Sequence, residues 1–94
     1  MDQLKKEIKV YLRIKTNDAS IDGEVEGLIE SCEKDMVLSG VDEHVARYRR
    51  NPLTIQAQKF YAKAYFGDGD ESGRFQRAYE ALRDRMALGG GSIL

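Results

Sequence analysis

Apolar residues recur along this chain at helical spacing, in successive stretches parted by polar breaks. Leu4, Ile8, Tyr11 and Leu12 fall at i, i+4, i+7 and i+8, which predicts a first amphipathic helix with one apolar stripe. Asp2 sits in its opening turn, where a carboxylate suits the helix dipole. Asn17, Asp18 and Ser20 supply turn chemistry, and Ser20 or Asp22 is the expected cap of a second helix. That helix carries Ile21, Val25, Leu28, Ile29, Cys32 and Met36 on one face. Glu24, Glu26, Glu30, Glu33 and Asp35 lie on the other, and Gly40 is the expected stop.

The next stretch, 41–51, is short and mixed. Val41, Val45 and Tyr48 fit one face of a short helix capped by Asp42, and Arg47, Arg49 and Arg50 make a basic connection. Asn51 and Pro52 are the clearest start signal: an N-cap acceptor followed by a residue that lacks the donor a first helical position cannot use. Leu53, Ala57, Phe60, Tyr61, Ala64 and Tyr65 follow at helical spacing, with Gly67 as terminator and 68–73 as a polar loop. Phe75, Ala78, Tyr79, Leu82 and Met86 mark a last helix, broken by Gly89, Gly90 and Gly91. No segment reads as a strand and no internal repeat is visible. The expected fold class is all-α: a small bundle of four main helices with short connections and a flexible C-terminal tail. Residues 1–88 form the helical domain and 89–94 the Gly-rich tail.

Composition narrows the function classes. The chain has 94 residues, enough for one domain, with one cysteine and one histidine. A disulfide scaffold and a structural zinc site, which wants about four N/S ligands, are both excluded as readings. No apolar run approaches the roughly 20 residues of a membrane helix, and the first residues carry no signal-peptide pattern, so a protein of a reducing compartment is expected. The net charge of −1 hides an asymmetry. Residues 1–43 hold 6 Lys/Arg and 11 Asp/Glu, net −5; residues 44–94 hold 9 and 5, net +4. Such a subunit suits head-to-tail contact with its own copies, which closes into a ring when the rotation permits. Contact of the basic part with nucleic acid is the other reading.

Candidate chemistry is sparse. His44 lies in a charged stretch with no Ser or Cys beside it, the pairing that nucleophilic catalysis would need. Cys32 falls on an apolar stripe, so a buried and inert thiol is expected. Asp68, Gly69, Asp70 and Glu71 lack the full calcium-loop pattern, and no Gly-rich phosphate cradle occurs. No catalytic residue, metal ligand or cofactor is expected. Tyr61, Tyr65 and Tyr79 read as core aromatics with a hydrogen-bonded hydroxyl. Because Tyr and Arg are enriched at interfaces, Arg47, Tyr48, Arg49 and Arg50 form the leading contact patch.

From the third main helix onward the order of elements becomes distinctive: an amphipathic helix from Leu4 to Leu12, a turn at Asp18, a helix with Val25, Leu28 and Ile29, a Tyr-containing connector, then Asn51-Pro52-Leu53 leading into Ala57, Phe60, Tyr61, Ala64, Tyr65 and Phe66, and a final helix with Leu82. This order resembles the head–tail connector (DNA-packaging adaptor, head-completion) proteins of tailed phages and prophages, over about residues 1–88. The resemblance implies a non-enzymatic ring subunit, with about a dozen copies assembled beneath the portal. Such a ring would extend the DNA channel, hold the genome and offer a platform to later head-completion or tail proteins. The implied partners are the chain itself, the portal, those later proteins, and DNA passing without sequence-specific contacts, at the virion's head–tail junction or in host cytoplasm before assembly. On this analogy Glu26, Glu30 and Glu33 would form an acidic lumen or complementary face, and Ile93 and Leu94 either a docking arm or a disordered end. The 41–51 connector has no counterpart in the family pattern.

A small helical DNA-binding or regulatory protein is the alternative. Against it, no helix carries the Arg/Lys/Asn/Gln cluster of a recognition surface.

Overall fold

The computed structural model describes residues 3–15, 18–66 and 70–90. Asp2, the glycines at 67 and 69, and Ile93 and Leu94 lie outside them. The described residues form α1 (Gln3–Tyr11), α2 (Ala19–Leu38), α3 (Glu43–Arg47), α4 (Pro52–Tyr65) and α5 (Ser72–Arg85), with no strand among them. The chain is therefore all-α, with four longer helices and one short connecting helix.

Each helix start is held by a local acceptor where one exists. Asp18, rather than Ser20 or Asp22, caps α2: its Oδ1 accepts from the Ser20 backbone N–H and from Ser20 Oγ, both at 2.9 Å. Asp42 caps α3 through the His44 N–H at 2.8 Å. Asn51 caps α4, accepting from the Leu53 and Thr54 N–H groups at 2.9 and 3.3 Å, with Pro52 as the first helical residue. Gly40 ends α2 at φ 103°, where the Gly40 N–H reaches the Val37 carbonyl and the Val41 N–H the Met36 carbonyl, the paired bonds of a Schellman close. Beyond α5 the helix widens into a π-type turn, Met86–Gly90, that ends at Gly89 with φ 98°.

The core has two parts, bridged by α2 and α4. One gathers Cys32, Met36, Val41, Ala46, Ala57, Tyr79 and Met86, where the second half of α2 meets α3, α4 and α5. The other gathers Leu4, Ile8, Val25, Ile29 and Ala62, where α1 crosses the first half of α2 and the middle of α4. The buried side of α4 is small and polar: Thr54, Ala57, Gln58, Ala62 and Ala64. Thr54 Oγ1 donates to the Val45 carbonyl at 2.7 Å, and Gln58 Nε2 to the Ile29 carbonyl at 3.2 Å, so both buried polar groups are satisfied. Small residues let α4 lie close to α2, which leaves Phe60 and Tyr61 only half-buried. Tyr65, expected in the core, is 46 % exposed and stacks on Tyr61 with ring centroids 4.5 Å apart. Tyr79 alone of the three expected core tyrosines is fully enclosed.

Candidate functional site

Four of the residues expected at contacts, Arg47, Arg49, Glu26 and Glu33, pair with one another. α3 and the turn after it carry Arg47 and Arg49 against the side of α2. Arg49 Nε lies 3.0 Å from Glu33 Oε2, and Arg49 Nη2 lies 3.2 Å from Glu26 Oε2. Arg47 Nη1 lies 3.6 Å from the other Glu33 oxygen, and its Nε 3.1 Å from Glu43. Lys5 of α1 closes the series at 3.5 Å from Glu26. The result is an alternating ladder, Lys5–Glu26–Arg49–Glu33–Arg47–Glu43, in which each carboxylate of α2 is flanked by cations from two elements.

This geometry corrects two expectations. Glu26, Glu30 and Glu33 do not share one outward face: Glu33 is only 4 % exposed, Glu26 is half-buried, and Glu30 is exposed. A carboxylate buried to that degree needs both oxygens engaged by charge, and Arg47 and Arg49 provide this. The opposed charges of the two chain segments are thus partly spent inside the subunit. From the basic patch, Arg47, Tyr48, at 52 % exposure, and Arg50 remain exposed, and Arg49 is half-buried.

A second polar group sits at the α2–α5 seam. Tyr79 Oη donates to Asp35 Oδ2 at 2.5 Å, and Arg83 Nη1 donates to the same oxygen at 3.1 Å. Cys32 packs in the same core cluster as Tyr79. Burial raises the pKa of Cys32 and of Tyr79 far above their ordinary values, with the neighbouring Asp35 carboxylate adding to the rise. Both groups stay protonated, so the thiol is buried and inert rather than a nucleophile. Among the described residues no three His, Cys, Asp or Glu side chains are grouped to hold a metal ion.

Surface hollows not anticipated from sequence lie at two places among the described residues. One flanks the Val10–Tyr11 end of α1. Gln3, Lys6, Glu7 and Lys59 line a volume of about 290 Å³ on one side, and Arg13, Lys63, Glu71 and Phe75 a volume of about 550 Å³ on the other. Tyr11 meets Phe75 edge-on at 6.3 Å, and Lys63 Nζ lies 5.8 Å from the Tyr11 ring and 5.9 Å from that of Phe75. Burial raises the Tyr11 pKa, opposed by the Arg74 charge. The sequence signal was available: Lys59 and Lys63 are one turn apart on a helix that contains no acidic residue. The other hollow, about 550 Å³, lies between α2 and the end of α4, lined by Glu24, Gly27, Leu28, Ser31, Tyr65 and Phe66. Comparison of the whole chain with family models, with curated proteins and with solved structures gives no match.

Proposed function

We propose that this chain is a non-enzymatic structural subunit of a phage or prophage head–tail connector ring. It docks on the portal, extends the DNA channel and presents a platform for head-completion and tail proteins, at the head–tail junction of the virion. The observation that carries the reading is the order and punctuation of the helices. A short amphipathic α1, a long α2, and an α4 opened by Asn51 and Pro52 and followed by α5 keep the order on which the family resemblance rests, with α3 lying in the connector that has no counterpart there. The charge ladder changes one part of the expectation. Arg47 and Arg49 brace the connector against α2, and contacts between copies fall to groups outside the ladder.

Native mass measurement or sedimentation, across protein concentration and with the portal protein of the same phage, tests this reading. Ring-sized assemblies, free or on the portal, support it. A strict monomer at high concentration that also ignores portal overturns it. A monomer that assembles only on portal fits a subunit templated by its neighbour.

A further inference from the structure

The turn between α3 and α4 is rigid, yet two of its side chains do nothing for the subunit that holds them. Arg49 clamps the turn to Glu26 and Glu33, Thr54 Oγ1 holds the Val45 carbonyl, and the Asn51 N–H reaches the Tyr48 carbonyl at 3.0 Å. Tyr48 and Arg50 project from this frame, both exposed, and among the described residues the ring stacks on nothing and the guanidinium meets no carboxylate. The carboxylates beside the turn are occupied: Glu26, Glu33 and Glu43 by Lys5, Arg47 and Arg49, and Asp42 by the α3 cap. Glu30, between Glu26 and Glu33 on α2, is exposed and unpaired.

The α2–α4 hollow has the complementary inventory. Leu28, Tyr65 and Phe66 give it an apolar and aromatic wall, and Tyr65 is held in place by its stack on Tyr61. Gly27 leaves it open, since a Cβ there would meet nothing within 4 Å. No cation lines it, and its single carboxylate, Glu24, is exposed and unpaired among the described residues. Helix geometry sets the hollow and the turn apart. Glu24 and Ser31, which line the hollow, each precede by two residues Glu26 and Glu33, which hold the turn. Two residues of α-helix are a rotation of about 200°, so the hollow and the turn lie on opposite flanks of α2.

We propose that the turn of one copy seats in the hollow of the next, with Arg50 pairing to Glu24 and the Tyr48 ring covering Leu28, Tyr65 and Phe66. The proposal rests on the connector reading and names its self-contact. Tyrosine and arginine are the side chains that most often anchor such contacts, and a guanidinium both stacks on aromatic rings and pairs with a carboxylate. Because the turn is already braced, little ordering is needed on binding. The two faces share no residue and sit on opposite flanks, so the contact runs head to tail and propagates into a ring or a helical array. Selection is by aromatic fit and one ion pair, not by opposed fields of charge, so assembly depends only weakly on salt.

Two kinds of variant test it, on the assembly that the wild type forms, free or on portal. Gly27→Leu fills the hollow and changes no charge; Arg50→Glu and Glu24→Arg reverse the pair one side at a time. All three positions are exposed and outside the ladder, and circular dichroism verifies that the variants fold. Each of the three alone is expected to need about tenfold or more protein to assemble. The chain carrying both Arg50→Glu and Glu24→Arg is expected to recover, because each reversed face meets its reversed complement. Assembly of Gly27→Leu at the wild-type concentration, or a double reversal no better than the single ones, overturns the proposed faces and leaves the connector reading standing. Loss of portal binding with self-assembly intact assigns these faces to the portal and overturns the copy-to-copy contact. A wild type that is monomeric with and without portal overturns both.

Discussion

Arg49 reaches back 16 residues to Glu33, Nε to Oε2 at 3.0 Å, and so ties the turn after α3 to the middle of α2. Its Nη2 also takes Glu26, one helical stretch earlier. The connector is held by this clasp and by the small Val41–Ala46 seat in the core. Removing the guanidinium strands a buried carboxylate. Arg49→Ala is expected to destabilise the fold by roughly 2–3 kcal/mol, less than a fully isolated buried charge because Arg47 still reaches Glu33. Arg50→Glu, one position along and exposed, is expected to change stability by no more than about 0.5 kcal/mol. Urea titrations of the two variants separate the bracing arginine from its surface neighbour.

At the other seam the Tyr79 hydroxyl donates to Asp35. Tyr79→Phe keeps the ring and removes the donor, leaving Asp35 to Arg83 alone. The expected loss is about 1.5–3 kcal/mol, the range for a hydrogen bond to a charged group. Tyr79→Ala adds the cavity and should cost about 3–5 kcal/mol. Tyr61→Ala should cost less than Tyr79→Ala, since its ring is only half-buried. Thermal or denaturant unfolding of the three variants sets this order, and a Tyr79→Phe protein as stable as the wild type would show that the hydroxyl contributes nothing net.

Cys32 is fully enclosed, and its thiol pKa is raised by burial. Modification by a thiol reagent is therefore expected to wait for unfolding. At fixed pH the labelling rate should follow the fraction unfolded across a urea series. Rapid labelling of the native protein would contradict the packing described at the α2–α5 seam.

How much of this was readable beforehand divides along physical lines. Asn51 with Pro52, Asp42, and Gly40 announce helix ends because their chemistry acts on backbone groups within a few residues. Leu4, Ile8, Val25, Ile29, Cys32 and Met36 announce the core because helical periodicity alone sets their face. The glutamates of α2 do not sort themselves that way. Glu26, Glu30 and Glu33 are equivalent in spacing, and which of them buries depends on where Arg47 and Arg49 arrive from another element. The α4 face is misjudged for a similar reason: Thr54 and Gln58 find buried carbonyl partners on α3 and α2, so polar residues go inside while Tyr65 stays out. Both hollows join residues from different helices, so no local pattern displays them.

Asp18 gives a pH test of a local cap. Hydrogen bonds from the Ser20 backbone N–H and hydroxyl hold its pKa below the ordinary 3.8. The unfolded chain therefore binds more protons than the folded one between those two values. The contribution of the cap is present above 3.8 and is lost as pH falls through the folded-state pKa. Asp18→Asn keeps an acceptor oxygen and removes the titration. Its stability is expected to decline less steeply than that of the wild type over the acid range, measured by urea midpoints at successive pH values. Parallel slopes for the two proteins would show that the cap does not titrate with folding.

Two helix ends share one backbone solution with different residues. At the end of α2, Gly40 adopts φ 103°; at the end of α1, Arg13 adopts φ 62°. The bonds match: Gly40 N–H to Val37 and Val41 N–H to Met36 in one, Arg13 N–H to Val10 and Ile14 N–H to Lys9 in the other. Only glycine takes that conformation freely, so Gly40→Ala is expected to destabilise by about 1–2 kcal/mol through backbone strain. A Cβ there would meet Ala87 Cβ at an ordinary 3.5 Å, so the loss is conformational rather than steric. Arg13→Gly relieves the same strain at α1 and is expected to stabilise the subunit by up to about 1 kcal/mol, the extra freedom of glycine in the unfolded chain offsetting part of the gain. It also removes one cation from the rim around Val10. Urea titrations of both variants beside the wild type check the two signs, and an Arg13→Gly protein no more stable than the wild type would show that the arginine carries no strain at the end of α1.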